Sequence, residues 1–242
     1  MAAFTAPLYL DLLGGFELHV GDDVIPIPVG FQRLIIFLAL NYRLLARIHV
    51  AGMLWPDVPT GRANANLRAA LWRLPRTCEG FIEVSARHLR LAGGVSVDLH
   101  RAAALARRLL DRSSRWDDDE LGTAWTQLSR DLLPDWYDDD WVLAERERFH
   151  HLRLHALEAL CDRLTAAGRY GEAVDAGLAA VRAEPLRESA HRVLIKAHLA
   201  EGNHGEASRQ YSSYRHLTLA ELGIEPSANL RDLLLQGAGT TR

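Results

Sequence analysis

The sequence predicts a mainly α-helical protein with a small β part, in which an N-terminal winged helix-turn-helix is followed by a C-terminal tetratricopeptide-like α-helical repeat domain. Aromatic residues make up only 7% of the 242 residues, so that Leu and Ala supply much of the apolar content, which favours helices. Short strand-like stretches flank three helical stretches between residues 8 and 97. A six-residue motif recurs nearer the C-terminus at the spacing of tetratricopeptide repeats. We therefore divide the chain into domains at 1–97 and 98–236, with a frayed tail at 237–242.

The first domain begins with three short stretches that we interpret as antiparallel strands, at residues 8–13, 16–20 and 24–28. Residues 31–41 are densely apolar and predict a buried helix, and residues 47–55 predict a second helix with Ile48 on its apolar side. Beyond the third helix, apolar residues alternate around residues 85–88, which indicates a hairpin. This order of elements is that of a winged helix-turn-helix, with the hairpin as its wing.

The third helix carries the strongest functional signal, and it is predicted over residues 61–76 with Thr60 as its N-terminal cap. One side is apolar and consists of Ala63, Leu67, Ala70, Leu71 and Leu74. The other side has no acidic residue and consists of Arg62, Asn66, Ala69, Trp72, Arg73 and Arg76. Arginine and asparagine contact phosphates and base edges, and alanine allows close approach, so this face suits a DNA major groove. The alternative is an ordinary helix with a solvated basic face.

Charge and composition indicate which partners and which kinds of site to expect. The net charge is −3, yet residues 1–97 contain nine arginines and seven acidic residues, whereas the remainder is net acidic. The weakly basic N-terminal part is typical of a domain that binds DNA.

The two cysteines, Cys78 and Cys161, have no partners at metal-ligand spacing. Because no apolar stretch approaches membrane-spanning length, we expect no membrane partner and a cytoplasmic protein.

The second domain is predicted to be helical throughout. Helices are expected at residues 98–110, with Asp98 as the cap, at 120–132 and at about 141–167, separated by acidic loops. The motif that begins Gly168-Arg169-Tyr170 then recurs from Gly202, a shift of one tetratricopeptide unit. In that interpretation the small or aromatic packing positions are Ala173, Ala180, Ala207, Tyr211 and Tyr214. A short helix at 228–235 is expected to close the stack.

Several motifs together resemble the Streptomyces antibiotic regulatory protein family in its stand-alone short form. They are Gly14-Gly15-Phe16-Glu17-Leu18, Leu54-Trp55-Pro56, Asn66-Leu67-Arg68, Leu71-Trp72-Arg73-Leu74 and Val97-Asp98-Leu99. The resemblance implies an OmpR-type winged helix joined to a bacterial transcriptional activator domain. It also implies that Arg73 reaches base edges and that Asn66 touches phosphate. Trp55 would reach phosphate through its indole N–H, or pack in the core, or do both.

The candidate DNA-binding residues extend from the end of the second helix to the wing. On the wing, a plain solvated turn is the rival interpretation. The full set is Trp55, Arg62, Asn66, Arg68, Trp72, Arg73, Arg76, Arg87, His88 and Arg90.

The chain departs from the family at Pro75, where many relatives have a basic residue. Proline removes a backbone donor and crowds the carbonyl of Leu71, so we expect the helix to kink or end near Leu74.

Nothing in the sequence indicates an enzyme. It contains no Gly-rich phosphate loop followed by Lys and Ser or Thr, and no His-Glu-x-x-His motif. His151 and His155 share a helix at a spacing that can bind metal, but we interpret them as surface or interface histidines. We expect no cofactor and no metal.

We predict a transcriptional activator that recognises promoter repeats, of a type that commonly controls a secondary-metabolite gene cluster. By resemblance, its partners are double-stranded promoter DNA, RNA polymerase including its sigma factor, and a second copy of the chain on a direct repeat. The alternative is a protein-interaction adaptor built on helical repeats, whose winged helix no longer binds DNA.

Overall fold

The computed structural model describes residues 6–74, 78, 80–111, 113–137 and 139–239. Pro75 and Arg76 themselves lie outside these residues. The elements of the N-terminal part are β1 (Leu8–Asp11), β2 (Glu17–Val20), β3 (Asp23–Val24), α1 (Val29–Asn41), β4 (Leu45–Ala46), α2 (Arg47–Leu54), α3 (Thr60–Trp72), β5 (Ile82–Val84), β6 (His88–Leu91) and β7 (Val95–Val97). The helices that follow are α4 (Asp98–Leu110), α5 (Asp118–Leu128), α6 (Asp140–Ala166), α7 (Tyr170–Ala183), α8 (Glu188–Glu201), α9 (His204–Leu222) and α10 (Ala228–Gly239).

The N-terminal sheet has the strand order β3-β2-β1-β7, with β1 antiparallel to β2 and parallel to β7. Leu8, Leu10 and Leu18 are buried on its inner face, whereas the intervening side chains point outward. The third strand is shorter than predicted and covers only Asp23–Val24, because Pro26 and Pro28 have no N–H for a ladder. Strand β7 was not predicted from the sequence.

The three helices and the second sheet form a winged helix, as predicted. Helix α1 buries six consecutive residues, from Leu34 to Ala39. Strands β5 and β6 form the wing hairpin and pair with β4 in the order β4-β6-β5. Ile48 was placed on the apolar side of α2, but the structure leaves it 60% exposed, since Val50, Ala51 and Leu54 supply the buried face.

Helix α3 differs from the prediction at both ends. Pro59 is its N-cap and Thr60 its first residue, so no side chain caps the helix and the predicted cap at Thr60 is wrong. The helix ends at Trp72 rather than at residue 76, with Arg73 as the C-cap. An end near Leu74 is what Pro75 predicts, since the residue before a proline is disfavoured in the α conformation.

The chain divides into two compact units that interleave along the sequence. The first comprises Met1–Arg101 and Asp131–Arg148, and the second comprises Ala102–Arg130 and Phe149–Arg242. In the first unit, Leu13 bridges to Leu132, and the Leu133 N–H donates to the Leu12 carbonyl at 2.8 Å. Segment 131–148 is thereby attached to the end of β1, a pairing that no local sequence pattern indicates.

Asp98 does not cap α4 in the predicted manner. Its carboxylate accepts hydrogen bonds from the backbone N–H groups of Leu12 at 2.8 Å and Leu13 at 2.9 Å, in addition to that of Leu99. Burial nevertheless raises the pKa of this carboxyl above its ordinary value. Asp98 therefore serves to hold the end of β1.

The second unit contains the predicted helical repeat. Helices α7 and α8 form one helical pair, and α9 and α10 form the next, with α9 also packed on α8. Gly168 and Gly202 precede equivalent helices with φ of +75° and +88°, a conformation that glycine adopts without strain. Of the predicted packing positions, Ala173, Ala180, Ala207 and Tyr214 are buried and Tyr211 is partly buried.

The remaining helix boundaries shift by a few residues. Helix α5 begins at Asp118, where Asp117 and Glu120 form a capping box, and it ends at Leu128 instead of residue 132. Helix α6 begins at Asp140 and ends at Ala166. Helix α10 continues to Gly239, past its predicted end at residue 235, so residues 237–239 of the predicted frayed tail are helical; the rest of that tail lies outside the described residues.

Candidate nucleic-acid interface

Helix α3 is amphipathic in the way that its sequence predicts. Ala63 and Leu67 are buried, whereas the opposite side presents an exposed surface formed by Arg62, Ala65, Arg68, Ala69 and Trp72. Trp72 is 87% exposed, which is unusual for the largest apolar side chain. Between Thr60 and Trp72 the helix contains no carboxylate, so its exposed surface is cationic and aromatic.

Arg73 lies just beyond this helix. Its backbone N–H donates to the carbonyls of Ala69 and Ala70, each at 3.1 Å, while its side chain is exposed. The backbone is thus anchored and the guanidinium is accessible. Asn66 is half-buried, at the edge of the exposed surface.

The tip of the wing is fastened to the start of α2. The Ser85 N–H donates to the His88 carbonyl at 2.9 Å, which closes the turn. The Arg47 N–H then donates to the Arg87 carbonyl at 2.9 Å, and the Arg47 guanidinium donates to the Ser85 carbonyl at 3.2 Å. These contacts set the position of the wing tip relative to the start of α2.

Between the wing tip, α2 and α3 lies an open recess of about 620 Å³. Its lining consists of Ala46, Arg47, Ile48, Asn64, Arg68, Ala86, Arg87 and His88. Three guanidinium groups and one imidazole line it, and none of these lining residues is acidic. Such a recess suits an anion, and the N-terminal N–H groups of α2 add to its positive potential.

Arg68, Arg87 and His88 were predicted from the sequence to contact DNA, whereas Arg47 was not. The missed signal is a basic residue at the first position of α2, where helix patterns favour an acid. Its proximity to the wing depends on the pairing of β4 with β6, which the sequence does not reveal.

Arg90 is placed differently from the other wing residues. It lies on β6 directly opposite Glu83 of β5, and their side chains form an ion pair at 2.6 Å. The Arg90 guanidinium, together with the Gly93 N–H, holds the pKa of the Glu83 carboxyl below its ordinary value. The positive charge of Arg90 is therefore already neutralised by Glu83 within the wing.

Trp55 is separate from this recess. It is the half-buried C-cap of α2 and lines another crevice, of about 430 Å³, together with Arg33 and Asp139. Its half-burial accords with the core-packing interpretation. Arg76 lies outside the described residues.

Comparison with known proteins identifies the family of the chain. The profile of the family described as "Bacterial transcriptional activator domain" matches residues 97–236. The chain belongs to this family. The match confirms the resemblance to Streptomyces antibiotic regulatory proteins that the sequence motifs indicated.

Two curated relatives are named "Regulatory protein AfsR". The protein from Streptomyces coelicolor is 30% identical over 194 residues, and that from Streptomyces griseus is 30% identical over 197 residues. Each alignment covers 74% of this chain, and the chain spans only 19% of the length of either relative. These relatives carry the name of regulators, not of enzymes.

A solved structure shows the same fold. It is described as Mycobacterium tuberculosis EmbR in complex with a low-affinity phosphopeptide, and it aligns with a TM-score of 0.74 at 20% identity. The alignment covers 98% of this chain and 66% of that chain. Within the described residues, no helix combines the length and the apolar character needed to cross a membrane.

Proposed function

We propose that the chain is a sequence-specific DNA-binding transcriptional activator that uses α3 and the wing recess together. The observation that carries the proposal is the arginine-lined recess between α3 and the wing, which adjoins a helix face without acidic residues. DNA recognition needs both parts, because backbone contacts fix the register and base contacts supply specificity.

The arrangement suggests a division of roles. Arg47, Arg68 and Arg87 surround a space suited to a backbone phosphate. Arg62 on α3 and Arg73 just beyond its end are exposed and suit guanine edges in the major groove, and Ala65 and Ala69 permit close approach. Trp72 offers an exposed ring for contact with a sugar or a thymine methyl group. The contribution of Arg90 is small, because Glu83 already pairs with it.

We infer the partners from the family resemblance and from the few base pairs that one recognition helix can contact. One recognition helix contacts too few base pairs for specificity, so two copies on a direct repeat are expected. The helical repeat of residues 98–236 is assigned to self-association and to RNA polymerase with its sigma factor. The names of the relatives support a regulatory role. Control of a secondary-metabolite gene cluster is what the resemblance to Streptomyces antibiotic regulatory proteins implies.

A footprinting experiment with Arg73→Ala tests this assignment. The variant should lose preference for the promoter over random DNA while keeping its fold, because the side chain is exposed. Arg209→Ala, an exposed arginine on α9, serves as the control and should give the wild-type footprint. A wild-type footprint with Arg73→Ala would overturn the role of that residue, and binding no better than to random DNA by the wild type would favour the adaptor.

A further inference from the structure

A cluster of three potential metal ligands lies on the outer face of the N-terminal sheet. Asp11 is the last residue of β1, and Glu17 and His19 lie on β2. One ligand atom from each side chain lies within 4.8 Å of the other two. Asp11 is the register partner of Glu17, and residues two apart share a face, so all three side chains project to the same side.

The two separations that involve His19 match those of a tetrahedral metal site. His19 Nε2 lies 3.3 Å from Asp11 Oδ2 and 3.4 Å from Glu17 Oε2. A tetrahedral ion with bonds of about 2.0–2.1 Å has ligand atoms about 3.3–3.4 Å apart. The Glu17 side chain is 62% exposed, so it is free to adjust toward the third ligand.

The imidazole nitrogen faces the two carboxylates without a well-aligned hydrogen bond. His19 Nε2 is shielded from solvent and, among the described residues, lies at ion-pair distance from Asp11 and Glu17 but forms no hydrogen bond. Such a buried polar atom is costly unless something satisfies it. An ion held between the imidazole and the two carboxylates would satisfy it.

The negative charge of the Asp11, Glu17 and His19 cluster also favours the binding of a cation. Asp11 and Glu17 are directly opposite one another, and like charges in that position destabilise a strand pair. Within the described part of the chain, no arginine or lysine forms an ion pair with either carboxylate.

We propose that Asp11, Glu17 and His19 form a binding site for a divalent transition-metal cation of the zinc class. Nitrogen and carboxylate ligands suit such an ion, and a water molecule would complete the tetrahedron on the exposed face. The bound ion would join β1 to β2 and so stabilise this hairpin. The site is separate from the DNA-binding surface and does not depend on the proposed function.

Titration of the untagged full chain with Co²⁺ tests the site, because tetrahedral Co²⁺ has visible absorption bands. The wild type should bind one equivalent with these bands, and Zn²⁺ should displace it. His19→Gln should abolish the bands. Glu17→Gln should weaken binding by at least about tenfold, since even outer-shell changes cost roughly 10- to 100-fold.

His216→Gln, which replaces an exposed histidine on α9, is the control and should bind as the wild type does. Circular dichroism of the metal-free variants checks their folding, and Glu17→Gln alters an exposed side chain, so it remains informative if His19→Gln does not fold. Absence of tetrahedral bands in the wild type, or equal binding by the wild type and Glu17→Gln, would overturn the proposal. Either result would leave the cluster as direct contacts between the His19 imidazole and the two carboxylates, without an ion.

Discussion

At the scale of single residues, Asp139 is a charged group of the first unit that is only 3% exposed. It accepts hydrogen bonds from Arg33 Nε at 2.9 Å, from Arg33 Nη2 at 2.6 Å and from the Trp136 indole at 3.0 Å. Arg33 also donates to the carbonyl of Leu54, the last residue of α2. The pair therefore joins α1, α2 and the start of α6.

Asp139→Ala should lower the free energy of unfolding by about 3 kcal/mol, the lower end of the range for breaking a buried ion pair, because Arg33 is 31% exposed. Urea denaturation measures the change. Glu145→Ala, which removes the partner of the exposed Arg148, is the control and should cost less than about 1 kcal/mol. Equal stability of the two variants would contradict the structural role of Asp139.

Two histidines, the buried His191 and the half-buried His100, should make stability depend on pH. Burial lowers the pKa of His100, which contacts the Ala39 carbonyl, and that of His191, which contacts the Pro185 carbonyl. Below the ordinary value of 6.5 the unfolded chain then binds more protons than the folded chain. The free energy of unfolding should consequently fall as the pH decreases from about 6.5 toward the lowered folded-state values.

Urea titrations between pH 7.5 and about 5 measure this dependence, and His191→Gln should reduce its slope. Carboxyls with lowered pKa, such as Glu83 and Glu225, act in a separate and more acidic range, below their ordinary value of 4.5. If the free energy of unfolding of His191→Gln depends on pH as steeply as that of the wild type, His191 does not contribute to the pH dependence.

At the scale of elements, much of the winged helix could be predicted because its patterns are local. The apolar stripe that includes Ala63 and Leu67 gave α3, and Pro75 gave its approximate end. The parallel pairing of β1 with β7 and the bridge from Leu13 to Leu132 could not be predicted, since they join residues far apart in sequence. The position of Arg47 beside the wing could not be predicted for the same reason, because it depends on the pairing of β4 with β6.

The crossing of helices around α7 depends on a glycine that the repeat motif does not include. A Cβ atom on Gly177 would lie 3.1 Å from Leu194 Cβ and 3.3 Å from Cys161 Sγ. The close approach of α7 to α6 and α8 thus requires the absence of a side chain. Ala173 and Ala180 of this helix were predicted as packing positions from the sequence, but Gly177 between them was not.

Gly177→Ala should destabilise the protein by about 1–3 kcal/mol through overpacking. Gly171→Ala is a matched control in the same helix, where an added Cβ meets no atom within 4 Å among the described residues. It should be neutral or stabilise by about 0.4–1 kcal/mol, because alanine restricts the unfolded chain. Thermal denaturation compares the stability of the two variants. Unchanged stability of Gly177→Ala would show that α6 and α8 can move away from α7 without an energetic cost.

At the scale of the whole molecule, a net charge of −3 makes general attraction to DNA an unsuitable explanation for binding. Affinity must come from a local concentration of positive charge, and the recess lined by Arg47, Arg68 and Arg87 supplies one. Each phosphate contact adds roughly 0.9 to the slope of log affinity against log salt concentration. The salt dependence therefore counts the contacts that the proposed interface makes.

The most direct test is a titration of promoter DNA at several salt concentrations with the wild type, Arg87→Ala and Arg90→Ala. We expect the wild type to bind selectively, with affinity that falls steeply as salt rises. Arg87→Ala should reduce the slope by about one unit, whereas Arg90→Ala should leave it nearly unchanged because Glu83 already pairs with Arg90. Binding that is weak, unselective or equally affected by both substitutions would contradict a DNA interface built on α3 and the wing recess.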